Sequence, residues 1–83
     1  MEIQEEKQEA KEHDLENMLY TVKECSVILK CGVPYVYQLK KAGLLRFMKL
    51  GSLKCRKEEL QRFLAEMEGK DATDPFHVRE LEV

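Results

Sequence analysis

"GVPYVYQLKKAGLL", residues 32–45, contains no acidic residue, although the chain carries a net charge of -2. Pro34 is tolerated in the first turn of a helix, because its missing N–H would have no partner there. Val36 and Leu39 are spaced to face a packing partner. Tyr35, Gln38 and Lys41 follow at three-residue spacing and share another side. Gly43 is a natural stop, since glycine accepts the left-handed backbone that ends many helices. The stretch therefore predicts a short helix with one apolar side and one polar, cationic side. Its purpose depends on its neighbours.

Upstream, Thr21-Val22-Lys23-Glu24 is a T-x-x-E capping box, in which hydroxyl and carboxylate satisfy two free backbone donors. Val22, Cys25, Ile28 and Leu29 recur at helical spacing. They predict a first helix ending near Lys30, preceded by a short extended "LYT". Cys31-Gly32 makes the turn, with Gly32 free to take a left-handed or capping geometry. Downstream, "LLRFMKLGSLKCR" reads as a hairpin, with Gly51-Ser52 as a two-residue turn and Leu53-Lys54-Cys55 returning. "KEELQRFLAEMEG" is a third helix. Leu60, Phe63, Leu64 and Met67 form its apolar stripe, Glu58-Glu59 suit its positive N-terminus, and Gly69 ends it.

The order helix, tight turn, helix, hairpin, helix predicts a mainly α domain with a small β-hairpin. This is a winged helix-turn-helix of three helices plus a wing, over residues 18–69. In that arrangement the first helix grips the apolar side of the second. The other side is then free to enter a DNA major groove about 12 Å wide. Residues 1–17 have almost no apolar periodicity and are expected to be a flexible acidic tail. Residues 70–83 carry a turn signal at Asp74-Pro75 and scattered apolar residues. They are expected to be a second flexible tail, disordered or folding on a partner.

Eighty-three residues make one small domain with a modest core. Charge is segregated along it. Residues 1–18 hold seven acids and two lysines; residues 19–57 hold nine Lys/Arg and only Glu24. A basic centre between acidic ends points to a polyanionic partner. No stretch is apolar and long enough to span a membrane, so the expected location is cytoplasmic, and nucleoid-associated when bound. Cys25, Cys31 and Cys55 form no C-x-x-C pair, and neither His13 nor His77 lies at zinc-ligand spacing from them. Reduced thiols are expected rather than a metal site. Ser26 and Ser52 have no base placed by pattern, and no paired carboxylates mark a pocket. The chain is expected not to be an enzyme and to need no cofactor.

Double-stranded DNA is the expected partner, and eight residues are the candidates. Gln38 is either a bidentate reader of adenine or a solvated side chain. Tyr35 suits a phosphate or a thymine methyl, with packing on the domain as the alternative, and Pro34 stands beside it in the first turn. Lys40, Lys41 and Arg46 suit phosphates, since lysine charges position more than they specify. Lys54 and Arg56 belong to the wing and suit the minor groove or the backbone, with Arg56 as no more than a helix-start residue the alternative. Tyr37 is expected in the core with its hydroxyl at the rim. Lys23 and Lys30 flank the first helix, where backbone contact and solvation are equally open.

Residues 19–67 resemble the small excisionase-type, MerR-like winged helix-turn-helix domains of phages and mobile elements. The resemblance is carried by "LYTVKECSVILKCGVPYVYQLKKAGLL", by "MKLG" leading into the wing and by "RKEELQRFL" after it. Departures are Pro34 and Tyr35 where members often carry basic or small polar residues, Lys40 where an apolar residue is common, and Leu53 where an aromatic is usual. The resemblance implies an accessory factor that binds and bends DNA beside an integrase. A small transcriptional regulator, or a protein-interaction module that has lost DNA binding, remains the alternative. Outside the resemblance, residues 70–83 carry Phe76, Val78 and Leu81 among their charges and are expected to meet a recombinase or a neighbouring copy, with the chain a monomer in solution.

Overall fold

The structure, a computed structural model, describes residues 18–82; the expected acidic tail 1–17 lies outside the described residues. The order of elements is β1 (Leu19–Thr21), α1 (Val22–Leu29), α2 (Val33–Lys41), β2 (Met48–Leu50), β3 (Ser52–Arg56), α3 (Lys57–Met67), β4 (Lys70–Asp71) and β5 (Arg79–Glu80). Three helices and a small antiparallel sheet make the fold mainly α.

The capping box forms as its sequence predicts. The Glu24 amide donates to Thr21 Oγ1 at 3.1 Å, and the Thr21 amide donates to Glu24 Oε1 at 2.8 Å. The buried stripe of α1 is shifted from expectation. Cys25 is buried and Val22 and Leu29 pack on the core, but Ile28 is 41% exposed. Ile28 lies roughly 100° around the helix from the Val22–Leu29 line. Ser26 occupies the inner position instead, its hydroxyl satisfied by the Lys23 carbonyl at 2.6 Å. The turn into α2 forms with Gly32 in the capping one of its two expected geometries. Lys30, at φ 57°, takes the left-handed position, while Gly32, at φ -81°, is the N-cap of α2. The Cys31 amide reaches the Ser26 carbonyl at 2.9 Å and the Lys30 amide reaches Val27 at 3.2 Å. Those two bonds satisfy the end carbonyls of α1 and require left-handed backbone at Lys30. α2 ends the same way with Gly43 at φ 79°: Leu44 N–H meets Leu39 O and Gly43 N–H meets Lys40 O, both at 3.0 Å.

β2 and β3 form the predicted hairpin, with a different centre. Lys49 pairs with Leu53 and Leu50 with Ser52, so the turn is centred on Gly51 alone rather than on Gly51-Ser52. Gly51 has φ 79°, which a side chain would strain. The extended "LYT" is more than a lead-in. It is β1, the third strand, paired to β3 with Tyr20 opposite Cys55, giving the order β1-β3-β2. The Lys57 amide closes this seam on the Met18 carbonyl at 2.9 Å.

The core is Cys25, Val36, Leu39, Leu45, Cys55, Leu60 and Phe63, drawn from all three helices, β3 and the α2–β2 loop. Each large side chain there contributes about 1.5–3 kcal/mol by leaving water. Leu64, expected on the inner stripe of α3, is 44% exposed. Cys25 and Cys55 touch thiol to thiol, and this contact, with burial, pushes the Cys55 thiol far up, so it stays protonated. All three cysteines are free thiols.

Residues 70–80 are a correction. The expected tail forms a second hairpin, β4–β5, with Asp71 opposite Arg79 and Lys70 opposite Glu80. Its loop is knitted by local bonds: Thr73 Oγ1 to Asp71 Oδ1 at 2.7 Å and the Phe76 amide to Asp74 Oδ1 at 3.0 Å. Pro75 is buried. Short polar side chains at Asp71, Thr73 and Asp74 supply the bonds that the missing apolar periodicity could not.

Candidate nucleic-acid interface

The outward face of α2 is built by Pro34, Tyr37, Gln38 and Lys41, all exposed. Their spacing, i, i+3, i+4 and i+7, is one helical face. The opposite face buries Val36 and Leu39 completely. The two tyrosines therefore exchange their expected roles. Tyr37, expected in the core, is 44% exposed beside Gln38. Tyr35, expected to meet a phosphate, is half-buried and donates its hydroxyl to the Ala72 carbonyl in the β4–β5 loop. Burial, then the charges of Cys31 and Asp71, raise the Tyr35 hydroxyl above the ordinary tyrosine range. That hydroxyl is engaged within the fold.

Lys40 is exposed on the flank of α2. Lys54 lies in β3 near the hairpin tip and donates to Ser52 Oγ at 2.7 Å. Lys49, which the sequence reading does not single out, is exposed on β2 opposite Leu53. Among the described residues, no carboxylate lies within ion-pair distance of Lys40, Lys41, Lys49 or Lys54. Their charge is uncompensated locally and open to an outside anion.

Arg46 and Arg56 belong elsewhere. Each lies five residues from Gly51, roughly 15 Å of extended chain away from the tip. Arg46 approaches Glu59 at 3.7 Å and Arg56 approaches Glu58 at 3.4 Å. Both line a cleft of about 540 Å³ at the open end of the β2–β3 hairpin, together with Phe47, Met48 and Arg62.

Glu59 and Arg62 brace that end, and neither was a candidate from sequence. Arg62 donates Nε to Glu59 Oε1 at 2.9 Å, and an Nη to the Leu44 carbonyl at 2.9 Å. It also pairs with Glu66 at 2.7 Å. Glu59 accepts the Arg46 amide at 3.0 Å. The hydrogen bond from Arg62 is the main cause that holds the Glu59 carboxyl down to about 2, well below its ordinary 4.5. Glu59 thus ties α3 to the loop that follows α2. Glu at N3 of a helix, with Arg three residues on, is the only sequence signal for this clamp.

Among the described residues, no group of three or more His, Cys, Asp or Glu is arranged to hold a metal ion. No described helix is long and apolar enough to cross a membrane. No protein-family model matches the chain, and no curated protein or solved structure matches it.

Proposed function

We propose that this chain is a winged helix-turn-helix protein that binds double-stranded DNA. α1 and α2 are the helix-turn-helix, α2 is the reading helix, and the β2–β3 hairpin is the wing. The observation that carries the reading is the set of four lysines without carboxylate partners on α2 and the wing. They accompany an exposed face, Pro34, Tyr37, Gln38 and Lys41, whose reverse side is anchored in the core. Gln38 offers a donor and an acceptor to adenine, Tyr37 an apolar ring to a thymine methyl or a hydroxyl to a phosphate, and the lysines hold the backbone. The excisionase-type resemblance extends the reading to an accessory factor that organises element ends for a recombinase. The C-terminal hairpin, which exposes Phe76 and Leu81, is then the surface for that partner or for a neighbouring copy.

A protein-interaction module is the second reading, favoured by Leu50, an apolar residue 57% exposed at the hairpin tip. Salt dependence separates the two. Each phosphate neutralised adds about -0.9 to the slope of log affinity against log salt, so four lysines give roughly -3.6. Fluorescence anisotropy of a labelled random duplex, titrated at several salt concentrations, reads this slope. A flat slope, or no binding at low salt, overturns the DNA reading.

A further inference from the structure

We propose that the cleft at the open end of the β2–β3 hairpin binds an oxyanion attached to an apolar body, at a site separate from the α2 face. The cleft, about 540 Å³, lies within the usual range for small-ligand pockets. Three guanidinium groups surround it, and their states differ. Arg62 is saturated: it serves Glu59, Glu66 and the Leu44 carbonyl. Arg46 and Arg56 are not. Their side chains make only the 3.7 Å and 3.4 Å approaches to Glu59 and Glu58, and they are 76% and 60% exposed.

The carboxylates offset those two charges only in part. Glu59 is occupied by Arg62 and by the Arg46 amide, and it is 11% exposed. Glu58 also lines the cleft, 62% exposed, and its carboxylate approaches Arg56 at 3.4 Å without a hydrogen bond. Two forks whose N–H donors make no hydrogen bond therefore remain at one opening. A guanidinium fork matches a carboxylate or a phosphate with two parallel hydrogen bonds, which a lone lysine cannot do. Phe47 and Met48, both partly buried, line the same cleft. A ring or short alkyl body fits against a thioether and an aromatic edge. The ligand is thus an organic phosphate or carboxylate with a flat or apolar body. A nucleotide of the DNA backbone and a free small molecule share that chemistry.

The test uses the whole chain and phenyl phosphate, with inorganic phosphate as the body-free control. NMR follows the Nε–Hε signals of Arg46 and Arg56 and the Met48 methyl. Phenyl phosphate is expected to shift all three and to bind at least about fivefold more tightly than inorganic phosphate, through the ring's burial. The paired variant Arg46→Gln, Arg56→Gln is expected to weaken phenyl phosphate about tenfold. Both side chains are exposed, so the variant is expected to keep the wild-type pattern of amide signals. Arg56→Gln alone, which leaves the loop after α2 untouched, is expected to weaken it about threefold. Equal shifts with the two phosphates, or no loss in either variant, would overturn the site. A duplex added second distinguishes the sources: displacement of phenyl phosphate identifies a backbone nucleotide, and retention identifies a free ligand. Failure of the duplex to bind at all counts against the DNA reading and leaves the phenyl phosphate titration intact.

Discussion

Lys30 holds a backbone that lysine does not favour. Its φ of 57° completes the end of α1, and left-handed geometry costs a branched-at-Cα residue roughly 1–2 kcal/mol. Glycine removes that cost but loses more freedom on folding. Lys30→Gly is therefore expected to stabilise the fold by about 0.5–1 kcal/mol, read as a higher urea midpoint at unchanged slope. Gln38 and Lys41 share a face, and under the proposed DNA reading their duties differ. Gln38→Ala is expected to reduce discrimination between preferred and scrambled duplexes by about 1–3 kcal/mol. Lys41→Ala is expected to weaken both alike and to lower the salt slope by about 1. Competition anisotropy with the two duplexes checks both outcomes. An unchanged preference in the Gln38 variant removes it as a base reader.

α3 contributes a clamp as well as a stripe. Glu59 is depressed to about 2 in the fold against an ordinary 4.5. A lowered carboxyl stabilises the folded state above its unfolded value and loses that contribution as pH falls. Glu59→Gln is thus expected to cost about 2 kcal/mol near neutrality, with the difference from wild type vanishing between pH 4.5 and about 2. Urea unfolding of both proteins across that window measures it; a pH-independent difference would mean that Glu59 acts through packing alone. The helices were legible because each carries local signals: the Thr21–Glu24 box, Gly43, and the Leu60–Phe63–Met67 stripe. Pairings across long separations were not. Tyr35 finds Ala72 thirty-seven positions away, and nothing near Tyr35 distinguishes it from Tyr37. The loop of the β4–β5 hairpin rests on backbone amides donating to the Asp71 and Asp74 carboxylates, which leave no hydrophobic period to read. The sequence showed the cations of the interface but not their grouping. Separating Lys54 from Arg56 required the register of β3.

Charge arrangement along the entire chain suggests competition for the basic surface. Residues 1–17 hold seven acids and two lysines, tethered to a centre with nine Lys/Arg and one acid. At low salt such a segment competes with DNA for the lysines. A chain beginning at Met18 is expected to bind random duplex more tightly at low ionic strength. The advantage is expected to shrink near 0.15 M, where charges beyond about 8 Å are largely screened. Anisotropy at the two salt levels reads the difference, and equal affinity at low salt removes the competition.

The seam between β1 and β3, closed by the Met18 carbonyl and the Lys57 amide, also has a kinetic meaning. Thr21 pairs with Lys54, so β1 is synthesised more than thirty residues before its partner strand exists. At about 5–20 residues per second, that wait is roughly 2–6 s. α1 and α2 can pair within microseconds of appearing, long before the sheet can close. Synthesis thus delivers the helical pair before β3 and α3, and a chain ending before Ser52 would carry β1 without the strand that takes up its backbone donors and acceptors.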